Sequence, residues 1–252
     1  MIVVESVSLK LRDAAILHDV SLTLPKGGVT ALIGPNGAGK SSLLSLIARL
    51  QPLQSGRISV DGLPVDRTPS RDLARRLAIL RQEPAVSGRL RVRELVGFGR
   101  FPHSGGRRTD PDRALVEAAL EAFDLSELAD RFLETLSGGQ RQRALVAMCF
   151  CQGTDYLLLD EPLNNLDLYF ARQLMQQLRR AADTHGRTVV VVLHDINQAA
   201  VWADRIIAMK GGRIVAKGSP AEVLVPETLA GLYGFPMRVV SIDGTPTVLH
   251  HG

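Results

Sequence analysis

The sequence predicts an α/β fold: a phosphate-binding core of parallel strands, joined to an antiparallel β subdomain and carrying an inserted α-helical subdomain. Three observations predict it. The apolar run Val29-Thr30-Ala31-Leu32-Ile33 leads into the glycine-rich Gly34-Pro35-Asn36-Gly37-Ala38-Gly39-Lys40-Ser41 and then Ser42-Leu43-Leu44-Ser45-Leu46-Ile47-Ala48, which read as strand, loop and amphipathic helix. Two more apolar runs, Tyr156-Leu157-Leu158-Leu159 and Val189-Val190-Val191-Val192-Leu193, end in Asp160-Glu161 and His194-Asp195. Buried parallel strands deliver polar groups to a site in this way, at their C-terminal ends. Between these runs, residues 86–154 turn to helical spacing.

The elements follow in order. Met1-Ile2-Val3-Val4-Glu5 opens an antiparallel strand region that leads into the core, and residues 1–85 with 155–220 form that core. Leu77-Ala78-Ile79-Leu80 is a short strand with Gln82 after it. The helical subdomain, 86–154, holds a helix from Val92 to Phe98, one started by Pro111 and reaching Phe123, and one from Gln140 to Gln152. The core resumes with parallel strands and the crossover helix Leu168 to Thr184, and residues 221–252 form a tail of helical and strand-like character.

The glycine-rich loop is a P-loop, and each residue type in it answers a physical demand. Gly34, Gly37 and Gly39 let the backbone approach phosphate oxygens and turn successive N–H groups inward, with Pro35, Asn36 and Ala38 completing the cradle. Lys40, Ser41 and Ser42 open a helix whose positive N-terminal end favours an anion. Lys40 is placed to reach the β- and γ-phosphates and the Ser41 hydroxyl to enter a magnesium shell. Asp160 is placed to hold the same Mg2+, and Glu161, one residue on, to orient and deprotonate an attacking water. Ser137 with Gly138, Gly139 and Gln140 reads as a helix cap with a tight approach, a second anion-binding helix end in one chain.

The order of P-loop, Leu136-Ser137-Gly138-Gly139-Gln140 and Tyr156-Leu157-Leu158-Leu159-Asp160-Glu161 resembles the ATP-binding cassette (ABC) family, and the resemblance covers nearly the whole chain. It implies a P-loop NTPase core of ABC type and hydrolysis of ATP coupled to transmembrane transport. It further implies that His194 contacts the γ-phosphate and that Gln82 senses Mg2+ and the attacking water. The segment Ser137 to Gln140 would close over ATP held by a second copy, and Asn164-Asn165-Leu166-Asp167 would be the dimer-contacting loop. Leu11 stands where many relatives stack an aromatic ring on adenine, and Met148 where arginine is frequent. More narrowly, Phe98-Gly99-Arg100-Phe101-Pro102, Thr154-Asp155-Tyr156 and Asp160 to Asp167 look like ATPases of bacterial iron-siderophore importers, the catecholate type favoured. Vitamin B12 and haem importers have similar ATPases. The implied partners are a second copy of the chain, integral membrane permease subunits and, indirectly, a substrate-binding protein.

Composition bounds this picture. The 252 residues, 45% hydrophobic, suffice for a sizeable core, and no apolar stretch approaches the roughly 20 residues that span a bilayer. The N-terminus lacks the basic region and cleavage site of a secretory signal, which predicts a peripheral protein on the cytoplasmic face of the membrane. Net charge is +4 and the pI about 9.4, with arginine concentrated between Arg71 and Arg113. Few aromatic residues accompany those arginines, so the sequence predicts a solvated basic face and no nucleic-acid partner. The alternative from another class, a soluble ABC ATPase acting on nucleic acid, usually brings long coiled coils, a second cassette or a zinc module, and the chain has none of these signals. Phe98 to Pro102 is expected to touch the permease, and Cys149 and Cys151, two apart on a helix, to be buried thiols with no disulfide.

Overall fold

The computed structural model describes residues 1–82 and 89–249, so the sequence-derived boundary between 85 and 86 and the last residues of the tail lie outside the described residues. The chain forms two compact units, Met1–Thr68 with Thr188–Gly252, and Pro69–Arg187.

The first unit opens with β1 (Ile2–Leu11), β2 (Ala14–Leu24), β3 (Gly28–Ile33), α1 (Lys40–Ile47), β4 (Arg57–Val60) and β5 (Leu63–Pro64). Its antiparallel sheet has the order β2-β1-β4-β5, which is the antiparallel subdomain expected from sequence. Ile2, Val4, Val7 and Leu9 face the core of this sheet, a spacing that skips from alternation by one residue. The extra residue is absorbed by a register shift between Val4 and Val7, with Ser6 at φ 48°, so the bulge returns Val7 to the buried face.

The second unit comprises α2 (Ser70–Ala74), β6 (Leu77–Leu80), α3 (Val92–Phe98), α4 (Phe101–Ser104), α5 (Asp110–Ala122), α6 (Gly138–Cys151), β7 (Tyr156–Leu159) and α7 (Leu168–His185). Strands β6 and β7 pair in parallel from Leu77 with Tyr156 to Leu80 with Leu159. Helix α6 begins before the expected Gln140, because the cap at Ser137 lets Gly138 and Gly139 form its first turn. Cys149 and Cys151 are free and buried, and burial pushes their thiols up to about 12 and about 11, as inert core groups.

Arg71, Arg75, Arg81, Arg89, Arg91, Arg107 and Arg113 are exposed, as expected of a solvated basic face, and Arg100 departs from it. Arg100 is buried: its Nε donates to Asp112 Oδ1 at 2.9 Å and its Nη1 to the Cys151 and Gln152 carbonyls, closing the C-terminal end of α6. Arg71 and Arg75 donate to the Pro102 carbonyl, Arg108 to the Glu94 carbonyl, and Arg89 and Arg91 lie over the Phe132 ring. These arginines hold loops and helix ends together, a use that charge counting does not reveal.

The chain then returns to the first unit with β8 (Thr188–Val192), α8 (Ile196–Trp202), β9 (Arg205–Lys210), β10 (Arg213–Gly218), α9 (Pro220–Val223), α10 (Pro226–Tyr233), β11 (Arg238–Ile242) and β12 (Thr245–Leu249). Here β3 lies between β8 and β9, parallel to both, and β10 runs antiparallel beside β9. Val189 to Val192 are fully buried, so this strand reads as a continuous apolar run. The tail becomes a hairpin of β11 and β12 tied to α8: Val248 N–H donates to Asn197 Oδ1 at 2.8 Å, and Asn197 Nδ2 donates to the Val248 carbonyl at 3.2 Å.

Asp112 carries a stability prediction. Its carboxylate accepts from the Thr109 backbone N–H, from Arg100 and from the Thr109 hydroxyl, and these together hold it down to about 2. A depressed carboxylate stabilises the fold above its ordinary value near 3.8 and loses that contribution as pH falls through about 2. Asp112→Asn is therefore expected to lower stability by on the order of 1–2 kcal/mol at pH 7. Urea unfolding as a function of pH should show the difference narrowing from about pH 4 toward pH 2; an undiminished difference at the acid end would reject this account.

Candidate nucleotide site

The phosphate loop is built by close backbone packing at the end of β3. Gly34 has φ 141°, and a Cβ there would stand 2.0 Å from the Met209 carbonyl oxygen of β9, so a side chain is sterically barred. Gly39, at φ 96°, caps α1, and a Cβ there would stand 2.6 Å from Leu17 Cδ2 and 3.1 Å from the Ile16 carbonyl. The loop is braced from the strand β2 side, where His18 N–H donates to the Gly212 carbonyl and Gly212 N–H to the Ala38 carbonyl. Between these fixed points Lys40 is only 5% exposed, and its Nζ donates to the carbonyls of Gly34 at 2.7 Å and Pro35 at 3.0 Å. The first turn of α1, with Ser41 and Ser42, carries no acidic residue, and a helix N-terminus favours an anion.

His194 follows β8 in the same unit. Leu193 N–H donates to the Leu32 carbonyl at 3.1 Å, so the ends of β8 and β3 are held side by side and His194 emerges, exposed, next to the strand that launches the loop. Leu11 is the last residue of β1, opposite Ala14, and is 42% exposed.

In the second unit the register of β6 and β7 determines the acidic cluster. Leu80 lies opposite Leu159, and Asp160 N–H extends the ladder to the Leu80 carbonyl at 3.0 Å. Two residues past each strand end, Gln82 and Glu161 come together: Gln82 Nε2 donates to Glu161 Oε2 at 2.7 Å. Asp160 and Glu161 are 6% and 9% exposed. Glu161 has φ 52°, in the left-handed region that costs a side-chain-bearing residue energy and is retained where surroundings enforce it.

The expected cap at Ser137 is present as a capping box: Gln140 N–H donates to Ser137 Oγ at 3.3 Å and Ser137 N–H to Gln140 Oε1 at 3.0 Å. Gly138 and Gly139 lie against the loop of Asn164 to Asp167; a Cβ at Gly139 would come within 3.0 Å of the Asn165 carbonyl. Asp167, expected at a dimer contact, caps α7 by accepting from Phe170 N–H at 2.9 Å. Sequence reasoning missed a contact of Asn164, whose Nδ2 donates to Glu161 Oε2 at 2.8 Å. Asn164 N–H also donates to the Glu161 carbonyl, closing a turn whose left-handed entry at Glu161 leaves no signal in the sequence.

A family model described as ABC transporter matches residues 17–164, from strand β2 through the phosphate loop and capped helix to the acidic cluster. The chain belongs to the ABC transporter family. Similar curated relatives include the petrobactin import ATP-binding protein FatE of Bacillus anthracis, 48% identical over 97% of each chain. The iron(3+)-hydroxamate import ATP-binding protein FhuC of Bacillus subtilis is 39% identical over 94% of this chain and 89% of its own. The hemin import ATP-binding protein HmuV of Pseudomonas putida is 41% identical over 95% of this chain and 94% of its own. Among solved structures, a dimeric post-hydrolysis state of the ATP-binding cassette MJ0796 bound to ADP and Pi superposes with TM-score 0.79 at 26% identity, covering 87% of this chain and 99% of that one. The ABC-type P-loop fold expected from sequence is thus the fold of the chain, which is an ATPase of a transport system. ABC ATPases dimerise, as that structure does. No helix among the described residues is long and apolar enough to cross a membrane.

Gly39→Ala tests the loop geometry. Since the added methyl group meets Leu17 and strains a left-handed residue, ATP affinity is expected to fall at least about tenfold and stability by roughly 1–2 kcal/mol. Nucleotide titration and thermal unfolding measure both, and wild-type affinity in the variant would contradict the cradle described.

Proposed function

We propose that this chain is the ATP-hydrolysing subunit of a bacterial ABC importer for iron-siderophore complexes, acting as a dimer on the cytoplasmic face of the membrane beneath a separate permease. The observation that carries the hydrolytic part is the buried Glu161 carboxylate with Gln82 hydrogen-bonded to it. The nearly full-length likeness to FatE carries the siderophore part. The catecholate type is favoured by Phe98 to Pro102 and by Asp160 to Asp167. HmuV, at 41% identity, favours haem as the second reading.

In this mechanism the loop Gly34 to Gly39, with Lys40, Ser41 and Ser42, holds the phosphates of ATP through backbone N–H groups and the ammonium. The Ser41 hydroxyl, the Asp160 carboxylate and the Gln82 amide oxygen are hard oxygen donors that suit Mg2+. Bound there, Mg2+ would neutralise charge on the β- and γ-phosphates. Glu161 orients the attacking water and takes its proton, and His194 contacts the γ-phosphate. Ser137, Gly138, Gly139 and Gln140 of a second copy close over the nucleotide with the positive end of α6, and Asp167 belongs to the loop at the dimer contact. Leu11 covers the adenine without stacking.

Glu161→Gln is expected to retain ATP binding and lose at least about a hundredfold in turnover, measured as phosphate release. In a deletion strain, wild-type but not Glu161→Gln protein should restore uptake of labelled ferric catecholate siderophore, with haem uptake unaffected. Restored haem uptake alone would transfer the assignment to the second reading. Leu11→Tyr is expected to raise the preference for ATP over GTP, read from the two kcat/KM values, and an unchanged ratio would remove Leu11 from the base site.

A further inference from the structure

We infer that Asn164 is a positioning residue for the Glu161 carboxylate, an inference that rests on the assignment of Glu161 as the base. Its Nδ2 donates to Glu161 Oε2 at 2.8 Å, and Gln82 Nε2 donates to the same oxygen at 2.7 Å. A carboxylate is planar, so two donors fixing one oxygen from different segments also fix the direction of the other. The backbone cannot supply this alone, because Glu161 sits at φ 52° immediately after the strand, where the ladder no longer dictates side-chain direction.

The second donor is itself held. The turn from Glu161 to Asn164 is closed by the Asn164 N–H to Glu161 carbonyl bond at 3.3 Å. Gln142 of α6 donates from Nε2 to the Pro162 carbonyl at 3.1 Å, in the middle of that turn. On the far side the turn meets the start of α6, where Gly139 approaches the Asn165 carbonyl. Asn164 thus converts the position of a loop braced by α6 into the orientation of the carboxylate. The residue is exposed, so its role is the amide contact and not packing, and truncation leaves no core cavity. An amide of this length meets the demand: aspartate would place like charge against Glu161, and leucine keeps the shape without the donor.

The test is steady-state ATP hydrolysis by the purified full-length chain. Asn164→Leu is expected to lower kcat roughly ten- to a hundredfold while KM for ATP stays within about twofold. Asn164→Gln, which keeps the donor at an exposed site, should recover most of that loss. In a Glu161→Gln background, adding Asn164→Leu should produce no further loss in the residual single-turnover rate, because the contact it removes no longer orients a base. A wild-type kcat for Asn164→Leu beside an inactive Glu161→Gln overturns the positioning role alone. So does a rise in KM that matches the fall in kcat, or an Asn164→Gln as impaired as Asn164→Leu. Wild-type turnover in Glu161→Gln overturns the base assignment and this inference with it.

Discussion

A lysine ammonium buried against carbonyls of its own loop is the interaction on which the phosphate site depends. Taking that charge out of water is costly unless donors and acceptors are arranged around it, and the Gly34 and Pro35 carbonyls satisfy Lys40 Nζ at 2.7 and 3.0 Å. That arrangement requires the chain to turn back on itself within the few residues between β3 and α1, which only glycine at 34 and 39 allows against Met209 and Leu17. The close approaches at Gly34 and Gly39 and the Lys40 contacts thus define the course of the loop from within the chain.

The second unit meets a different constraint with a similar economy. Parallel pairing of β6 and β7 is a register, and a register propagated past the strand ends carries Gln82 to Glu161. The carboxylate then leaves the strand through a left-handed residue, and the turn that follows returns an amide to it. Because this turn is hydrogen-bonded to α6 through Gln142 and packed against Gly139, displacement of that helix within the unit would be felt at the carboxylate.

Much of this was legible in the sequence, for stated reasons. Strands β6 and β7 and helix α3 have the bounds the apolar spacing predicts, because short buried strands ending in polar residues and a helix with a clear period leave few alternatives. Ser137 was recognisable as a cap from its residue type and the two glycines that follow. Of the arginines between 71 and 113, Arg100 was misread, because composition cannot tell a solvated guanidinium from one buried on Asp112 and two carbonyls. Asn164 was assigned wholly to a dimer contact, since its bond to Glu161 depends on a turn whose left-handed entry no side-chain pattern announces. The role of the tail was opaque because its anchors are long-range: Val223, Leu229 and Leu232 are buried, and Asn197 pairs with the backbone of Val248.

The central claim is that the phosphate loop and capped helix of two copies share each ATP, with Glu161 ending the shared state by hydrolysis. Light scattering of purified Glu161→Gln protein with and without Mg-ATP tests it most directly. The account predicts the 27.3 kDa mass of one chain without nucleotide and twice that with it, reverting when ADP replaces ATP. A mass that stays at one chain with ATP demonstrably bound would contradict it.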